Sequence, residues 1–98
     1  MSIDLRVLSD SVHDEATFLR FLTALATDWH EERMVEMENP SLPYSPGALG
    51  WENGTIGAML EAAADWGNAS INGLEFYDKP ENPWRRVAHI FYAGKFYE

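Results

Sequence analysis

The sequence predicts a small, mainly helical domain in which three helices are joined by long loops. Apolar residues recur at spacings of three and four in three separate segments, the period of an amphipathic helix. The 98 residues are enough for one hydrophobic core. Hydrophobic residues make up 46% of the chain and aromatic residues 13%, which is typical of a folded protein. We therefore predict that residues 1–98 form a single domain.

The first segment, residues 1–12, precedes any helical pattern. Ile3, Leu5 and Val7 alternate with polar or charged neighbours. Alternation is the period of a strand, so this lead segment is predicted to be a short strand or an extended arm that packs on the body.

The first predicted helix covers residues 14–32. Asp14 is a favourable N-cap residue, because its carboxylate can accept the free backbone N–H groups of a first turn. The apolar stripe behind it consists of Phe18, Leu22, Leu25 and Trp29, widened by Phe21 and Ala26. Residues 31–38 could extend the helix as far as Asn39-Pro40, where proline disfavours helical geometry in the residue before it. A loop rich in Pro and Gly follows at residues 39–50.

The second predicted helix begins near Asn53 as its N-cap and ends at Gly67-Asn68. Alanines at several of its positions add helix propensity. The predicted inward stripe is Ile56, Met59, Leu60, Ala63 and Trp66.

The third predicted helix follows a loop at residues 68–81. Asn82-Pro83 is a strong start signal, since a capping side chain precedes proline at the first helical position. The stripe is Trp84, Val87, Ala88 and Phe91, and Gly94 is the predicted end. A buried strand through residues 87–92 stays open as the alternative. Trp29, Trp66 and Trp84 are expected in a shared core, with Trp51 packed against the second helix or lining a pocket.

Charge and composition exclude several classes of protein. The net charge of −9 argues against binding to double-stranded nucleic acid, which requires clustered Lys and Arg. The absence of cysteine excludes disulfides and thiol chemistry. The sequence contains no secretory signal and no apolar run long enough to span a membrane, so a cytoplasmic protein without membrane contact is the expectation.

Several stretches of the chain resemble a known family. They are Trp51-Glu52-Asn53, the helix Met59-Leu60-Glu61-Ala62 leading to Trp66, Asn82-Pro83-Trp84 and Tyr92-Ala93-Gly94-Lys95-Phe96-Tyr97-Glu98. Together they are similar to an uncharacterised bacterial family of small acidic proteins, classed as a domain of unknown function, over residues 12–98. The resemblance implies a compact helical fold and brings no catalytic residues with it.

No set of residues in the sequence predicts catalysis or metal binding. The serines lie outside any nucleophile-elbow pattern. Glu61 and Asp65 share a helix face, where solubilising surface charges are the favoured interpretation over an acid/base pair. His30 with Glu31, Glu32 or Glu36 lacks the second histidine that a helical metal site requires. We expect neither enzymatic activity nor a metal or other cofactor.

The charge distribution favours recognition of a protein partner. Residues 1–78 hold 14 acidic and 3 basic side chains, whereas residues 79–98 hold 4 basic and 2 acidic ones. The densest acidic segment, residues 28–38, also contains Trp and Met, which are enriched in interfaces. The predicted partner-binding residues are Asp28, Trp29, Glu31, Glu32, Glu36 and Glu38. A basic partner fits them, as for an acidic inhibitor or an immunity-type protein. The alternative for these charges is a solvated helix face.

Two other functions remain open. Trp51, Asn53, Tyr92 and Lys95 could form an aromatic pocket for a small molecule, with Tyr44 as a further candidate. The chain could also be a homo-oligomeric structural unit in which the basic C-terminal helix meets an acidic neighbour. That basic helix could equally meet the acidic helix of its own chain.

Overall fold

The computed structural model of the protein describes residues 4–43 and 45–98 and consists of helices and loops. The helices are α1 (Leu5–Asp10), α2 (Glu15–Glu38), α3 (Ile56–Ala69) and α4 (Pro83–Phe96), with no β-strand among the described residues. The prediction of a mainly helical fold is confirmed. The predicted count of three helices is wrong, because the lead segment contributes a fourth.

Helix α1 forms where a short strand or an extended arm was predicted. The Asp4 carboxylate accepts the backbone N–H groups of Arg6 and Val7 at 3.0 and 3.2 Å, which caps the first turn. Leu5 and Ser9, four residues apart, are the buried positions. Val7, the other apolar residue of the alternating pattern in α1, is 55% exposed, because residues two apart point to opposite sides of a helix. Ile3, which belonged to that pattern, lies outside the described residues.

Helix α2 confirms Asp14 as the N-cap and takes the longer of the two predicted lengths. Asp14 accepts the N–H of Thr17 at 2.9 Å, and the Thr17 hydroxyl accepts the N–H of Asp14 in return at 3.1 Å. The helix runs to Glu38 and ends ahead of Asn39-Pro40. Its last turns bind the loop that follows, through Glu32 and Glu36.

Helix α3 starts and stops two residues later than predicted. Thr55 is the N-cap, accepting the N–H of Ala58 at 3.0 Å, whereas Asn53 uses its side chain to bond elsewhere. Gly67 does not end the helix but lies within it, against Ile90. A Cβ atom at Gly67 would be 3.6 Å from the Ile90 side chain. Ser70 is the C-cap instead.

Helix α4 confirms the Asn82-Pro83 start and excludes the strand alternative for residues 87–92. The Asn82 side chain accepts the N–H groups of Trp84 and Arg85 at 2.9 and 3.2 Å. The helix continues through Gly94 to Phe96, because Gly94 is buried within it against a neighbouring helix rather than at a free end.

The four helices pack around α4, which contacts each of the other three. Helix α3 packs on α4 alone among the helices, and α1 packs on both α2 and α4. The backbones of α2 and α3, both fully described, do not pack closely against each other. The core lies on the α1–α2–α4 side and contains Leu5, Val12, Phe21, Leu25, Trp51 and Ala88.

The α3–α4 contact is built from small residues. Ala62 and Ala63 of α3 and Ala93 and Gly94 of α4 are buried. Gly94 allows the closest approach, since a Cβ at this position would lie 2.9 Å from the Met59 backbone carbonyl oxygen. The alanine content that suggested helix propensity therefore also sets the distance between these two helices.

We expect Gly94→Ala to destabilise the fold by about 1–3 kcal/mol, because the added methyl group overlaps backbone that cannot move away freely. Gly57→Ala is the matched control, since nothing lies within 4 Å of a Cβ at that exposed helical position. It should stabilise the protein by about 0.4–1 kcal/mol by restricting the unfolded chain. Urea unfolding of both variants checks the pair, and equal effects would contradict the packing described for Gly94.

Candidate functional site

An apolar groove lies between α2 and α3. Its cavity volume is about 520 Å³. Helix α2 contributes Leu22, Leu25, Ala26 and Trp29 to the lining. Ile56, Met59 and Leu60 of α3 face them, and Trp51 and Phe91 complete the apolar surface. The groove lies where two amphipathic helices turn apolar residues toward each other while their backbones stay apart.

The predicted inward stripe of α3 is only partly covered by the chain. Ala63 is buried, and Met59 and Trp66 are half-buried. Ile56 is 82% exposed and Leu60 is 55% exposed, although both lie on the same stripe. These two side chains border the groove. The sequence pattern identified the apolar stripe of α3 correctly. The prediction that the stripe faces a core is wrong for Ile56 and Leu60.

Few polar atoms of the groove are free to bind a ligand. The Asn53 side-chain amide donates to the backbone carbonyls of Gly94 and Tyr97 at 3.0 and 3.1 Å. The Thr55 hydroxyl caps α3. His30 is the exposed polar side chain at the edge. The groove is therefore suited to an apolar surface and not to a strongly polar ligand.

Trp51 connects the groove to α2. Its indole N–H donates to Asp28 Oδ2 at 2.8 Å, and its backbone N–H donates to Glu32 Oε1 at 3.1 Å. The ring meets Trp29 edge-on with 5.1 Å between centroids. Lys95 Nζ also donates to Asp28 Oδ2 at 2.8 Å, so the basic C-terminal helix does meet the acidic helix of its own chain. With 7% exposure, Trp51 is the buried tryptophan, whereas Trp84, predicted in the core, is 38% exposed.

The four predicted pocket residues are divided between two places. Trp51 and Asn53 line the groove, whereas Tyr92 and Lys95 lie outside its lining. Tyr92 packs its ring against Phe21 and Phe96, at centroid distances of 6.5 and 5.1 Å. Burial raises the pKa of the Tyr92 phenol above its ordinary value. Tyr44, the further pocket candidate, lies outside the described residues.

Glu32, predicted on an exposed acidic face, has no exposed surface. Its Oε1 accepts the backbone N–H groups of Leu49 and Trp51 at 2.9 and 3.1 Å, and its Oε2 pairs with Arg33. A Cβ at Gly47 would overlap the Glu32 carboxylate, so the loop approaches as closely as glycine permits. Glu32 therefore holds the loop against α2.

Glu36 has a similar role one turn further along. It accepts the backbone N–H groups of Ser41 and Ala48 at 2.6 and 2.8 Å, and also the Ser41 hydroxyl. The hydrogen bonds from Ser41, first from its side chain and then from its backbone, lower the pKa of the Glu36 carboxyl.

The six predicted partner-binding residues therefore do not form one exposed acidic face. Asp28, Glu32 and Glu36 bind groups of their own chain: Glu32 and Glu36 accept backbone N–H groups of the loop, and Asp28 accepts the Trp51 indole N–H and the Lys95 ammonium group. Trp29 lines the groove, with the Arg33 guanidinium 4.4 Å above its ring. Glu31 and Glu38 are exposed. Partner binding by these residues stays a prediction.

A second polar cluster, which the sequence did not reveal, joins α1, α4 and the loop between α3 and α4. The Tyr77 hydroxyl lies 2.8 Å from His89 Nδ1, and His89 Nε2 lies 2.8 Å from Asp10 Oδ1. Arg86 donates to Ser70 Oγ and to the Gly67 carbonyl, both at 2.9 Å. The partners are up to 79 positions apart, so no spacing rule could find them.

The pKa of His89 is shifted by its surroundings in this cluster. Burial lowers the pKa of its imidazole, although the Asp10 carboxylate beside it acts in the opposite direction. A neutral ring can accept a hydrogen bond from the Tyr77 hydroxyl at Nδ1 while Nε2–H donates to Asp10. The aspartate, histidine and tyrosine side chains thus form one hydrogen-bonded chain that fixes the loop against α1 and α4.

No group of three or more His, Asp or Glu side chains arranged for a metal ion occurs within residues 4–43 and 45–98. Over the same part of the chain, none of the helices is both long and apolar enough to cross a bilayer.

Fold and groove together define a small acidic helical protein with an apolar groove between α2 and α3. A family model, described as a family of unknown function (DUF7660), matches residues 14–98. The chain belongs to this family. No curated protein and no solved structure matches the chain.

Two of the stretches that suggested a family meet at one junction in the structure. The backbone N–H groups of Glu52 and Asn53 donate to the Lys95 carbonyl at 3.0 and 3.3 Å. Together with the Asn53 side chain, they satisfy carbonyl groups at the C-terminal end of α4, which have no partners within the helix. The C-terminal stretch Tyr92–Glu98 thus has a structural role beside the groove.

We expect Glu32→Ala to destabilise the protein by about 1–3 kcal/mol, because the substitution leaves two loop N–H groups without their acceptor. Glu31→Ala, on the neighbouring exposed position, should change stability by less than about 0.5 kcal/mol. Chemical unfolding with a common m-value measures the difference. Equal stability of the two variants would show that the Glu32 contacts contribute nothing.

We expect His89 to make stability depend on pH. Because its folded pKa lies below the ordinary 6.5, the unfolded chain takes up a proton at this ring before the folded chain does. The contribution of His89 to the free energy of unfolding is complete above pH 6.5. It decreases as the pH falls below that value, by at most about 1.4 kcal/mol per pH unit. Urea unfolding at successive pH values should show a weaker dependence for His89→Gln. An unchanged slope in His89→Gln would refute the assignment.

Proposed function

We propose that the protein is a non-enzymatic interaction module whose groove between α2 and α3 takes up the apolar surface of a basic protein partner. The observation that carries the proposal is the apolar groove, bordered by the exposed side chains of Ile56 and Leu60. Contiguous exposed apolar surface with polar surroundings is typical of a protein-binding or ligand-binding site. An acidic inhibitor or immunity-type protein in the bacterial cytoplasm is the concrete form of this proposal.

The charges of the chain support a basic partner. Basic side chains of the C-terminal region bind groups of their own chain. Lys95 donates to Asp28 at 2.8 Å, Arg85 to the Val12 carbonyl at 2.9 Å and Arg86 to the Gly67 carbonyl at 2.9 Å. With a net charge of −9, the molecule attracts a cationic partner and accelerates encounter with it. The same engagement of the basic side chains disfavours a homo-oligomer held by the C-terminal helix.

A small apolar molecule is the second candidate occupant, favoured by the volume of the groove. About 520 Å³ lies within the range of about 300–1,000 Å³ that is usual for small-molecule sites. A small ligand would raise the melting temperature of the protein without requiring opposite charge or showing strong salt dependence.

We expect a basic protein to be captured from cells by the wild-type protein, and its affinity to fall at least about tenfold with Leu60→Lys, which places a charge in the groove. Phe76→Ser is the matched control, because Phe76 is 94% exposed and lies outside the groove lining. Titration of the purified partner against all three proteins gives the affinities. Loss of binding in both variants, or in neither, would contradict the groove as the binding site.

Salt and charge variants test the electrostatic part of the proposal. Glu31→Lys combined with Glu38→Lys changes exposed side chains, whereas changes at Glu32 and Glu36 would disturb the loop. We expect the double variant to weaken binding at about 50 mM salt more than at about 300 mM, where exposed charges are screened. A partner whose affinity is the same under all these conditions would show that charge does not select it.

A further inference from the structure

We infer that the free protein is a two-fold symmetric dimer in which Ile56 and Leu60 of each copy enter the α2–α3 groove of the other. The inference goes beyond the proposed function, because it describes what occupies the groove before a partner binds. It rests on the exposed apolar residues beside the groove, on the uncharged lining of the groove and on the surface area of the chain.

The groove and the residues that fill it lie side by side on one surface. Ile56 and Leu60 are 82% and 55% exposed and form the α3 border of the groove. In a two-fold symmetric contact the same surface of both copies meets, so the exposed border of one copy faces the groove of the other. Each border then packs between α2 and α3 of the second copy, against lining residues that include Leu22 and Ala26. One contact thus covers both grooves and both exposed borders.

The groove is uncharged although the chain is strongly acidic. Of the described residues that line the groove, none is Asp, Glu, Lys or Arg, and His30 is the titratable one. Glu61 and Asp65, the carboxylates of α3, lie outside the lining. A contact through the groove therefore brings no like-charged side chains of the lining together. The long-range repulsion between two molecules of net charge −9 is what opposes it, and salt screens that repulsion.

The area that the chain exposes is sufficient for a dimer interface. The chain has an accessible surface of 6763 Å². A compact monomer of 11.1 kDa exposes about 5,700 Å², so the chain exposes an excess of about 1,100 Å². An interface of standard size covers about 800 Å² on each partner. The excess can therefore supply such an interface, and the border formed by Ile56 and Leu60 is its apolar part.

Sedimentation equilibrium of the full chain tests the dimer. We expect the mass to approach twice 11.1 kDa as the protein concentration rises. The dissociation constant of the dimer should be at least about threefold lower at about 500 mM salt than at about 50 mM, because salt screens the repulsion between two acidic copies. Binding of a basic partner has the opposite salt dependence, so the two kinds of association are distinguished by this measurement.

A pair of charge-matched variants tests whether the groove is the interface. Leu60→Lys should raise the dissociation constant of the dimer at least about tenfold, since it places a charge in the apolar contact. Ala69→Lys changes the net charge by the same amount at an exposed position of α3 outside the groove lining. It should not weaken the dimer.

Disulfide trapping tests the arrangement of the two copies. The chain has no cysteine, so a disulfide between two single-cysteine chains must join two copies. Ala26→Cys mixed with Leu60→Cys should give a mixed disulfide, which requires Cα atoms within about 7 Å. Thr27→Cys is the control for Ala26→Cys, because Thr27 is exposed on α2 but outside the groove lining. It should give far less of the mixed disulfide with Leu60→Cys.

Each contrary outcome overturns the inference. A chain that stays monomeric at high concentration and high salt forms no such dimer. If Leu60→Lys and Ala69→Lys affect a dimer equally, or if Leu60→Cys pairs as readily with Thr27→Cys as with Ala26→Cys, the copies meet through another surface. In all these cases the titration of a basic partner is a separate measurement. A monomer that binds such a partner through the groove refutes the dimer alone, whereas a dimer that binds no basic partner refutes the proposed function alone.

Discussion

The fold depends on two carboxylates of α2, Asp28 and Glu32, that are withdrawn from solvent and must find donors within the chain. An ionised carboxylate away from water is costly unless hydrogen bonds and opposite charge compensate it. Leu49 and Trp51 supply N–H groups to Glu32, and Lys95 and the Trp51 indole supply donors to Asp28. The loop after α2 is therefore folded back along the helix with Trp51 fixed at its end.

This constraint builds the groove as well as the fold. Trp51 is held on α2. The backbone N–H groups of the next two residues, Glu52 and Asn53, donate to the Lys95 carbonyl at the C-terminal end of α4. The Asn53 amide adds two further bonds to the same helix end. One short segment thus links α2 to α4, lines the groove and leads into α3. The polar groups of the segment are used for the fold, while its apolar surface faces the cavity.

Local signals predicted the parts of the fold that depend on neighbouring residues. Asp14 and Asn82-Pro83 act as caps because the groups they bond lie within the next few positions. Asn53 and Thr55 are both acceptable caps by residue type, and a bond from Asn53 to Tyr97, 44 positions away, decided between them. Periodicity likewise identified the helices, whereas the assignment of Gly94 as a helix end failed because the approach of Met59 is a tertiary contact.

The candidate site was predicted less completely, for two physical reasons. A high density of charged residues indicates a solvated surface, and in the sequence Glu32 does not differ from the acidic residues around it. Only the structure shows that it accepts the N–H groups of Leu49 and Trp51. An apolar stripe shows which residues avoid water but not whether the same chain covers them. Ile56 and Leu60 follow the pattern of core residues and yet remain exposed. Trp51 and Asn53 were placed at a pocket, but Tyr92 belongs to the aromatic core instead.

The attachment of α3 to α4 alone has a consequence for how such a domain diversifies. Helix α3 meets α4 at a seam where Gly67 lies against Ile90 and Gly94 lies against Met59. Gly94 leaves no room for a methyl group, whereas a Cβ at Gly67 would lie at ordinary contact distance from Ile90, so side-chain changes at the Gly67–Ile90 contact can move α3 at lower cost and reshape the cavity from its outer wall. Partner preference can then drift through substitutions that leave most of the recognising surface unchanged, while α1, α2 and α4 keep their core. Changes at the α3–α4 contact can therefore alter which partner is bound without disturbing the core that maintains the fold.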